Sequence, residues 1–388
     1  MSILKHLGNK ALHDGRLQLL VAAVMFGMLG VVSLIMARAA VVPVAVASPQ
    51  KGVLAGGASI VRDSSAVGGS AVDFTNHQNG GGSSGSPNNM IVGVNINGMG
   101  SNPGPDMAGA VPYVRADLKS WGLQASTFAN AGIKVDDLLQ GPYSTSGISG
   151  LGSAATWAAN ALGWYKADGC TPALCPIIEV LNEPGGTWFW GSNALSEANA
   201  TAYDDILVAA YNAFASAYGS SRPLILASFD GGYSTGSDWG KYMWQANAKI
   251  GDYIDGITVH PYDTSSSGLG SQSNVTNSYA QAKSLAGRSI PMYITEVGWQ
   301  TTPTSSETAA GDTPLGGALM TPALQCNNIY NFISWARNLE YVKAVMIFDY
   351  RDDNSDDGTY GIEYGDGTHK PSYAGIAAAS RNKTNPCP

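Results

Sequence analysis

The chain has 388 residues, of which only 13% are charged, and its formal net charge at pH 7 is −8. This balance argues against a nucleic-acid-binding function, which needs clustered lysine and arginine, and it suits a neutral, hydroxyl-rich ligand. Four cysteines in such a chain indicate an oxidising compartment.

Residues 1–47 predict a targeting segment. Lys5, Lys10 and Arg16 make its start positively charged, and residues 17–36 are almost entirely apolar. Such a run is typical of a signal peptide, but it is also long enough to span a bilayer. Cleavage is slightly favoured over a retained membrane anchor. Either outcome predicts a protein that is secreted or held on the extracellular face of the membrane.

Residues 48–88 are rich in glycine, serine, alanine and asparagine. A segment with so few large apolar side chains buries too little surface to offset the entropy lost on ordering it. We therefore expect a flexible linker. Residues 89–388 remain, a length at which one large core is still usual, and they predict a single domain that acts as a monomer.

Eight apolar, strand-like runs alternate with helix-like segments in this domain. The helix-like segments carry apolar residues three or four positions apart. This alternation predicts an α/β fold, the (β/α)8 TIM barrel, in which chemistry sits at the carboxyl ends of the strands. The expected strands are 91–96, 113–118, 135–140, 176–181, 223–228, 256–259, 292–295 and 344–348, and the clearest helices are 154–166, 196–218, 275–285 and 323–339.

Two glutamates at strand ends are the main functional signal. Glu183 closes the run that starts at Ile177, and Glu296 closes the run that starts at Ile290. Two facing carboxylates can protonate a leaving oxygen and stabilise an oxocarbenium-like centre, which are the two requirements of glycoside hydrolysis. We predict Glu183 as the acid/base and Glu296 as the ionised nucleophile of a retaining enzyme. Retention requires their carboxyl carbons to lie about 5 to 5.5 Å apart.

Other side chains at the predicted strand ends should meet at the same mouth of the barrel. Arg115 and Tyr262 are suited to keep Glu296 ionised, by charge and by a hydrogen bond. Asn182 can bond a sugar hydroxyl, and His260 can orient the acid or contact sugar. Flat aromatic faces stack on sugar rings. The remaining candidate sugar-binding residues are Trp188, Trp190, Trp299, Asp349 and Tyr350.

Two acidic features are interpreted as structural and not as catalytic or metal-binding. Glu179 lies deeper in its strand than Glu183 and is predicted to be a buried partner of an arginine or a backbone group. Asp352, Asn354 and Asp356 begin a run that resembles a calcium loop, but its glycine falls one position too late. A solvated loop is therefore favoured, and no metal or other cofactor is predicted.

The four cysteines suggest two disulfides. Cys170 and Cys175 bracket a short loop, and a bond from Cys326 to Cys387 would tie the last long helix to the tail. Four cysteines allow three pairings, so this one is a preference. A zinc site is the alternative, although no histidine lies near them in sequence.

At the residues above, the chain resembles the retaining glycoside hydrolases of clan A, which are (β/α)8 barrels. The resemblance covers roughly residues 90–379. Members of that clan carry an Asn-Glu pair at the end of strand four, a nucleophile at the end of strand seven, an arginine on strand two and a His-x-Tyr sequence on strand six. The matching residues here are Asn182-Glu183, Glu296, Arg115 and His260-Pro261-Tyr262.

Within the clan, the chain looks like family 39 and its relatives. The similarity rests on the run from Glu179 to Pro184, followed by Trp188-Phe189-Trp190. One departure concerns strand eight, where the clan usually places a tryptophan under the sugar at the cleavage point. Asp349 stands at about that position in this chain.

The resemblance implies an exported glycosidase that cleaves O-glycosidic bonds of a polysaccharide or oligosaccharide by double displacement, without a cofactor. Two alternatives use the same barrel. A carbohydrate-binding protein without turnover is supported by Asp349 and by the potential membrane tether, while the presence of both glutamates counts against it. A transglycosylase shares the first chemical step and transfers the sugar to another sugar instead of water.

Overall fold

The computed structural model describes residues 59–62, 70–73, 89–96, 104–140, 151–186, 195–229, 238–263, 268–304, 319–352 and 358–388. The targeting segment predicted for residues 1–47 lies outside these ranges. Within them, no helix is both long and apolar enough to cross a membrane. The chain divides into two units, Met1–Ser83 and Ser84–Pro388.

The first unit contains a pair of short strands within the segment predicted as a linker. Strands β1 (Ser59–Arg62) and β2 (Ser70–Asp73) run antiparallel to each other.

The second unit contains the predicted barrel. Eight parallel strands follow one another in chain order, and the last pairs with the first to close the sheet. Most of their sequences are largely apolar because helices cover the outer face and side chains fill the inside, although β5 carries Asp136 and Asp137. The strands are β3 (Ile91–Asn95), β4 (Tyr113–Ala116), β5 (Lys134–Leu139), β6 (Ile177–Val180), β7 (Leu224–Ser228), β8 (Gly256–Val259), β9 (Met292–Val297) and β10 (Val342–Ile347).

All four predicted helices are present, and three of them begin at side-chain caps. Ser153, Ser196 and Thr321 each accept a hydrogen bond from a backbone N–H of the first turn. The described ranges also hold four helices that were not predicted, two of which have only four or five residues. The helices are α1 (Gly104–Met107), α2 (Ala125–Ala129), α3 (Ala154–Ala167), α4 (Glu197–Tyr218), α5 (Asp238–Ala246), α6 (Leu269–Ala286), α7 (Pro322–Ala336) and α8 (Pro371–Ser380).

The inside of the barrel has an apolar layer below a polar one. Because side chains alternate along a strand, residues two apart point to the same side. Ile177 and Tyr293 belong to a small apolar cluster, and the next residues on the same sides of β6 and β9 are Glu179 and Thr295. The polar layer therefore lies toward the carboxyl ends of the strands.

Both preferred disulfides are formed. Cys170 pairs with Cys175, and Cys326 pairs with Cys387, with Cα atoms 5.5 and 5.6 Å apart. The second bond fixes the C-terminal tail to α7. It closes a long loop and so restricts the unfolded chain more than the first.

Candidate active site

Arg115, at the end of β4, lies at the centre of the polar layer. Its Nε donates to Glu179 Oε2 at 2.5 Å, and its Nη1 donates to Glu296 Oε1 at 2.6 Å. Nη1 also donates to Asn95 Oδ1 at 2.9 Å, and Nη2 donates to Asn182 Oδ1 at 2.8 Å. One guanidinium thus joins the ends of β3, β4, β6 and β9.

Glu296 is held from two sides at the end of β9. Arg115 bonds one carboxylate oxygen, and the hydroxyl of Tyr262 donates to the other at 3.0 Å. Two residues later, a Cβ on Gly298 would overlap the carbonyl oxygen of Phe348. Glycine at this position therefore allows the ends of β9 and β10 to approach closely beside the carboxylate.

Glu183 contacts His260, which comes directly after β8. Glu183 Oε1 lies 2.5 Å from His260 Nδ1, and the other ring nitrogen lies 3.0 Å from Thr295 Oγ1. A carboxylate oxygen of Glu183, one of Glu296 and a His260 nitrogen all lie within 4.8 Å of one another. Glu183, just after β6, and Glu296, on β9, therefore face each other across a gap of a few ångströms.

The backbone after β6 has an uncommon conformation. Leu181 and Glu183 have φ angles of 61° and 44°, in the left-handed region that L residues rarely occupy. Such a conformation costs on the order of 1–3 kcal/mol per residue and persists only where the surrounding structure fixes it. Buried Leu181 and the bond from Asn182 to Arg115 provide that fixation.

The two candidate catalytic residues have different electrostatic environments. Burial raises the pKa of Glu183, and the charge of Glu296 adds to this, although His260 opposes both. Burial alone would lower the pKa of His260, but Glu296 and Glu183 outweigh it and raise that pKa well above the usual range. Glu183 and His260 therefore retain a proton between them. Glu296, by contrast, accepts a hydrogen bond at each carboxylate oxygen, one from Arg115 and one from Tyr262.

Glu179 lies behind these groups and is fully buried. Burial would raise the pKa of its carboxyl, but Arg115 and then His260 reverse the effect and lower the pKa to about 2. The predicted pairing of Glu179 with an arginine is confirmed.

The structure brings six of the predicted residues together and places others elsewhere. Trp299 is 3% exposed and packs edge-on against Phe332 in the hydrophobic core. Tyr350 is 1% exposed, and its hydroxyl donates to Asp106. Neither ring offers an open face to a sugar. The six residues at the site are Arg115, Asn182, Glu183, His260, Tyr262 and Glu296.

Of the three remaining predicted sugar-binding residues, one is buried and two are not described. Asp349 is 2% exposed, and the peptide bond before it is cis. Trp188 and Trp190 lie outside the described residues. Phe348, not Asp349, directly follows β10, and its ring packs with Tyr262 and Tyr360. The aromatic ring after the eighth strand is thus one position earlier than the sequence comparison suggested.

Four residues at the site were not predicted: Asn95, Thr258, Thr295 and Phe348. Asn95 ends β3, so the rule that selected the other strand ends would have found it. Thr258 and Thr295 bond Glu179 from β8 and β9. Nothing in the sequence identifies them, because their partners come from other strands.

Metal-ligand side chains converge at two places within the described residues. One is Glu183, His260 and Glu296, and the other is Asp106, Glu363 and His369. In the first group Arg115 and His260 already neutralise the carboxylates, so no added cation is needed there.

The acidic loop considered for calcium does not form that site from its described members. Asp352 pairs with buried Lys370 at 2.7 Å, and Glu363 pairs with Arg351 at 2.7 Å. Asn354 and Asp356 lie outside the described residues. Cations of the protein thus pair with Asp352 and Glu363, and both carboxylates are buried, so the solvated loop predicted from sequence is not found at these two residues.

Three solved structures with a similar fold are of glycan-cleaving enzymes. A family 39 glycoside hydrolase from Bacteroides cellulosilyticus is 16% identical, with a TM-score of 0.51 over 76% of this chain and 65% of that chain. An endo-1,4-β-xylanase from Penicillium canescens is 13% identical, with a TM-score of 0.51 over 76% of this chain and 96% of that chain. Two fungal β-1,4-galactanases are represented by a structure that is 14% identical, with a TM-score of 0.51 over 74% and 93% of the two chains.

These comparisons show the (β/α)8 barrel fold, which was predicted from the sequence. The chain spans about 65% of the length of the family 39 enzyme. No protein-family model and no curated protein matches the chain by sequence. The function is therefore argued from the site itself.

Proposed function

We propose that this protein is an exported retaining glycoside hydrolase that acts on a polysaccharide or oligosaccharide. The observation that carries the proposal is the pair of carboxylates Glu183, just after β6, and Glu296, on β9, whose oxygens lie within 4.8 Å of each other in contrasting environments. Glu183 shares a proton with His260, and Glu296 accepts hydrogen bonds at both of its carboxylate oxygens. This is the division of roles that double displacement needs.

In the first step Glu296 attacks the anomeric carbon while the bond to the leaving oxygen breaks. Glu183 gives its proton to that oxygen, so the leaving group departs as an alcohol and a glycosyl ester forms on Glu296. In the second step Glu183, now ionised, takes a proton from water. The water oxygen attacks the anomeric carbon and releases Glu296 as a carboxylate, so configuration is retained.

The neighbouring residues have distinct parts in this scheme. Tyr262 and Arg115 hold Glu296 at both oxygens and stabilise its charge before attack and after release. His260 contacts Glu183 directly and orients its carboxyl group. Asn182, whose Oδ1 accepts from Arg115, is proposed to bond a sugar hydroxyl. Trp188, Trp190 and Asp349 remain proposed sugar contacts.

Export is part of the proposal and is supported by two observations. All four cysteines form disulfides, which persist mainly in oxidising compartments. The apolar run at residues 17–36 is suited to a signal peptide or to a membrane tether. A polysaccharide or oligosaccharide substrate is supported by the pair of carboxylates at the site and by two of the similar structures, whose names describe enzymes of β-1,4-linked glycans.

The test is a screen of aryl glycosides with the wild type, Glu296→Ala and Glu183→Ala. Asp204→Asn is a matched control, since Asp204 is equally buried but lies on α4 outside the site. Phenol release by the wild type and the control alone supports the proposal. If the panel is silent, polysaccharide digestion follows, with reducing ends as the readout and product mapping to detect transfer to sugar. Sugar binding without any bond cleavage would overturn the proposal in favour of a binding protein.

A further inference from the structure

Glu179 occupies a place that the mechanism above does not use. Its carboxylate lies one layer below the two catalytic glutamates and is fully buried. One oxygen accepts from Arg115 Nε, and the other accepts from Thr258 Oγ1 at 2.9 Å and Thr295 Oγ1 at 3.2 Å. The same oxygen lies 3.8 Å from His260 Nε2. Four partners on three other strands therefore surround one carboxylate.

Arg115 has two carboxylate partners that differ during the proposed reaction. Glu296 accepts a hydrogen bond from Arg115 Nη1, and it is a carboxylate only in the free enzyme, because the glycosyl ester is neutral. Glu179 bonds its Nε and is not consumed. A buried guanidinium that loses its only counter-charge is strongly disfavoured. In the ester state, Glu179 is the remaining bonded anion that compensates Arg115 among the described residues.

The other ionisable groups around Glu179 do not supply this charge. Asp136, on β5, is fully buried, and both of its oxygens are without hydrogen-bond partners. Burial, followed by the charge of Glu179, raises the pKa of Asp136 to about 8. Asp136 is therefore neutral at pH values below about 8. His260 and Tyr203 are not anions there, since burial raises the pKa of Tyr203 well above its usual range. Glu183 is ionised in the ester state, but its carboxylate is paired with His260 at 2.5 Å.

We infer that Glu179 is a positioning residue that acts as the permanent counter-charge of Arg115. It holds the guanidinium in place through both half-reactions while the charge of Glu296 disappears and returns. Through Thr295 it also supports the ring nitrogen of His260 that faces away from Glu183. This inference rests on the proposed function, because only an ester intermediate on Glu296 makes the two partners different.

The inference predicts opposite effects on the two chemical steps. In Glu179→Gln, ester formation would leave Arg115 without a bonded anion. The ester should therefore form more slowly, by roughly 10-fold or more, and should not last longer than in the wild type. A side chain with a merely structural role would slow both steps together or leave both unchanged.

The first readout uses the 2,4-dinitrophenyl 2-deoxy-2-fluoro glycoside of the sugar that the wild type hydrolyses. Inactivation and reactivation rates are measured for wild type, Glu179→Gln and Asp136→Asn. Slower inactivation with equal or faster reactivation is expected only for Glu179→Gln. Asp136→Asn is the matched control, because it is one strand away, equally buried and already neutral. Wild-type rates in Glu179→Gln, or equal slowing of both steps, would overturn the inference.

The second readout does not depend on activity. The imidazole of His260 is followed by ¹⁵N NMR during a pH titration of the same three proteins. Loss of the Glu179 charge, 3.8 Å from Nε2, should lower the midpoint of the His260 titration by about one pH unit or more in Glu179→Gln. Below pH 7, where Asp136 is already neutral, the His260 signals of Asp136→Asn should match those of the wild type. If no fluoro glycoside labels the wild type but this shift is found, the proposed function fails and the charge arrangement stands. An unchanged midpoint would overturn the arrangement itself.

Discussion

Two sets of carboxylates are buried in this molecule, and they differ in their partners. At the mouth of the barrel, Glu179, Glu183 and Glu296 are at most 8% exposed, and each bonds a cationic side chain or a histidine. Away from the mouth, Asp136 and Asp204 are at most 2% exposed, and neither has a hydrogen-bond partner on either oxygen. Burial is similar in both sets, so partners alone separate them.

The difference shows what decides the protonation of a buried acid. Burial raises the pKa of Asp204 to about 8, and the neighbouring Asp205 adds to it. Equally strong burial of Glu179 ends in a pKa of about 2, because Arg115 and His260 outweigh it. Depth in the core therefore does not identify a functional acid. The informative feature is a fixed donor or cation at each oxygen.

The largest expected effect comes from removing the charge of Glu296. Glu296→Gln keeps the size of the side chain but cannot form the glycosyl ester. Activity should fall by about 10⁴-fold or more, consistent with loss of a unit that acts as nucleophile. Steady-state kinetics on the aryl glycoside found by the screen measure the effect, and circular dichroism checks the fold. Activity within 10-fold of wild type would exclude Glu296 as the nucleophile.

The next effect concerns Glu183 and the pH profile. The protonated form is the active one, so wild-type activity should fall as pH rises through the raised pKa of Glu183. Glu183→Gln should lose this fall and should lose activity by about 10²- to 10⁴-fold on substrates with poor leaving groups. Dinitrophenyl glycosides need little protonation, so their cleavage should be affected far less. The comparison of two leaving groups separates loss of the acid from misfolding.

A smaller effect is expected from the hydroxyl of Tyr262. Tyr262→Phe removes one of the two donors on Glu296 while keeping the ring that packs against Phe348. Activity should fall by about 10-fold, the value of one charge-assisted hydrogen bond of roughly 1.5 kcal/mol. Tyr350→Phe is the control, since its hydroxyl bonds Asp106 instead. Equal losses in both variants would show that the effect is general packing.

The smallest effect concerns stability alone. Asp204 holds its proton to about pH 8 in the folded state but loses it near pH 4 when unfolded. The stability from this proton is full below pH 4 and is lost as pH rises toward 8. Asp204→Asn should therefore be about 1–3 kcal/mol more stable than wild type at pH 8, and little different at pH 4. Thermal unfolding at both pH values measures this, and an equal change at the two would contradict it.

The sequence predicted the barrel because its signals are periodic and local. All eight strands were found within a few residues, since buried parallel strands read as apolar runs. Helix α6 begins at Leu269, earlier than predicted. Its start was missed because its first turns are polar and show no apolar period. The short helices α1 and α2 carry too few residues for a period to be recognised.

The site was predictable where position along a strand sufficed. Glu183 and Glu296 follow from the rule that chemistry lies at strand ends. Trp299 shows the limit of that rule, because residue type near a strand end does not reveal whether the ring faces the mouth or the core. The role of Thr295 was not predictable, since it depends on Glu179 and His260 from two other strands.

The central claim is that Glu296 carries the sugar between the two chemical steps. It is tested most directly by incubating the protein with the 2-deoxy-2-fluoro glycoside of its substrate sugar and mapping the labelled peptide by mass spectrometry. We expect one glycosyl group, attached to Glu296, and no label in Glu296→Gln. A label on another residue, or hydrolysis with inverted configuration and no label, would contradict the account.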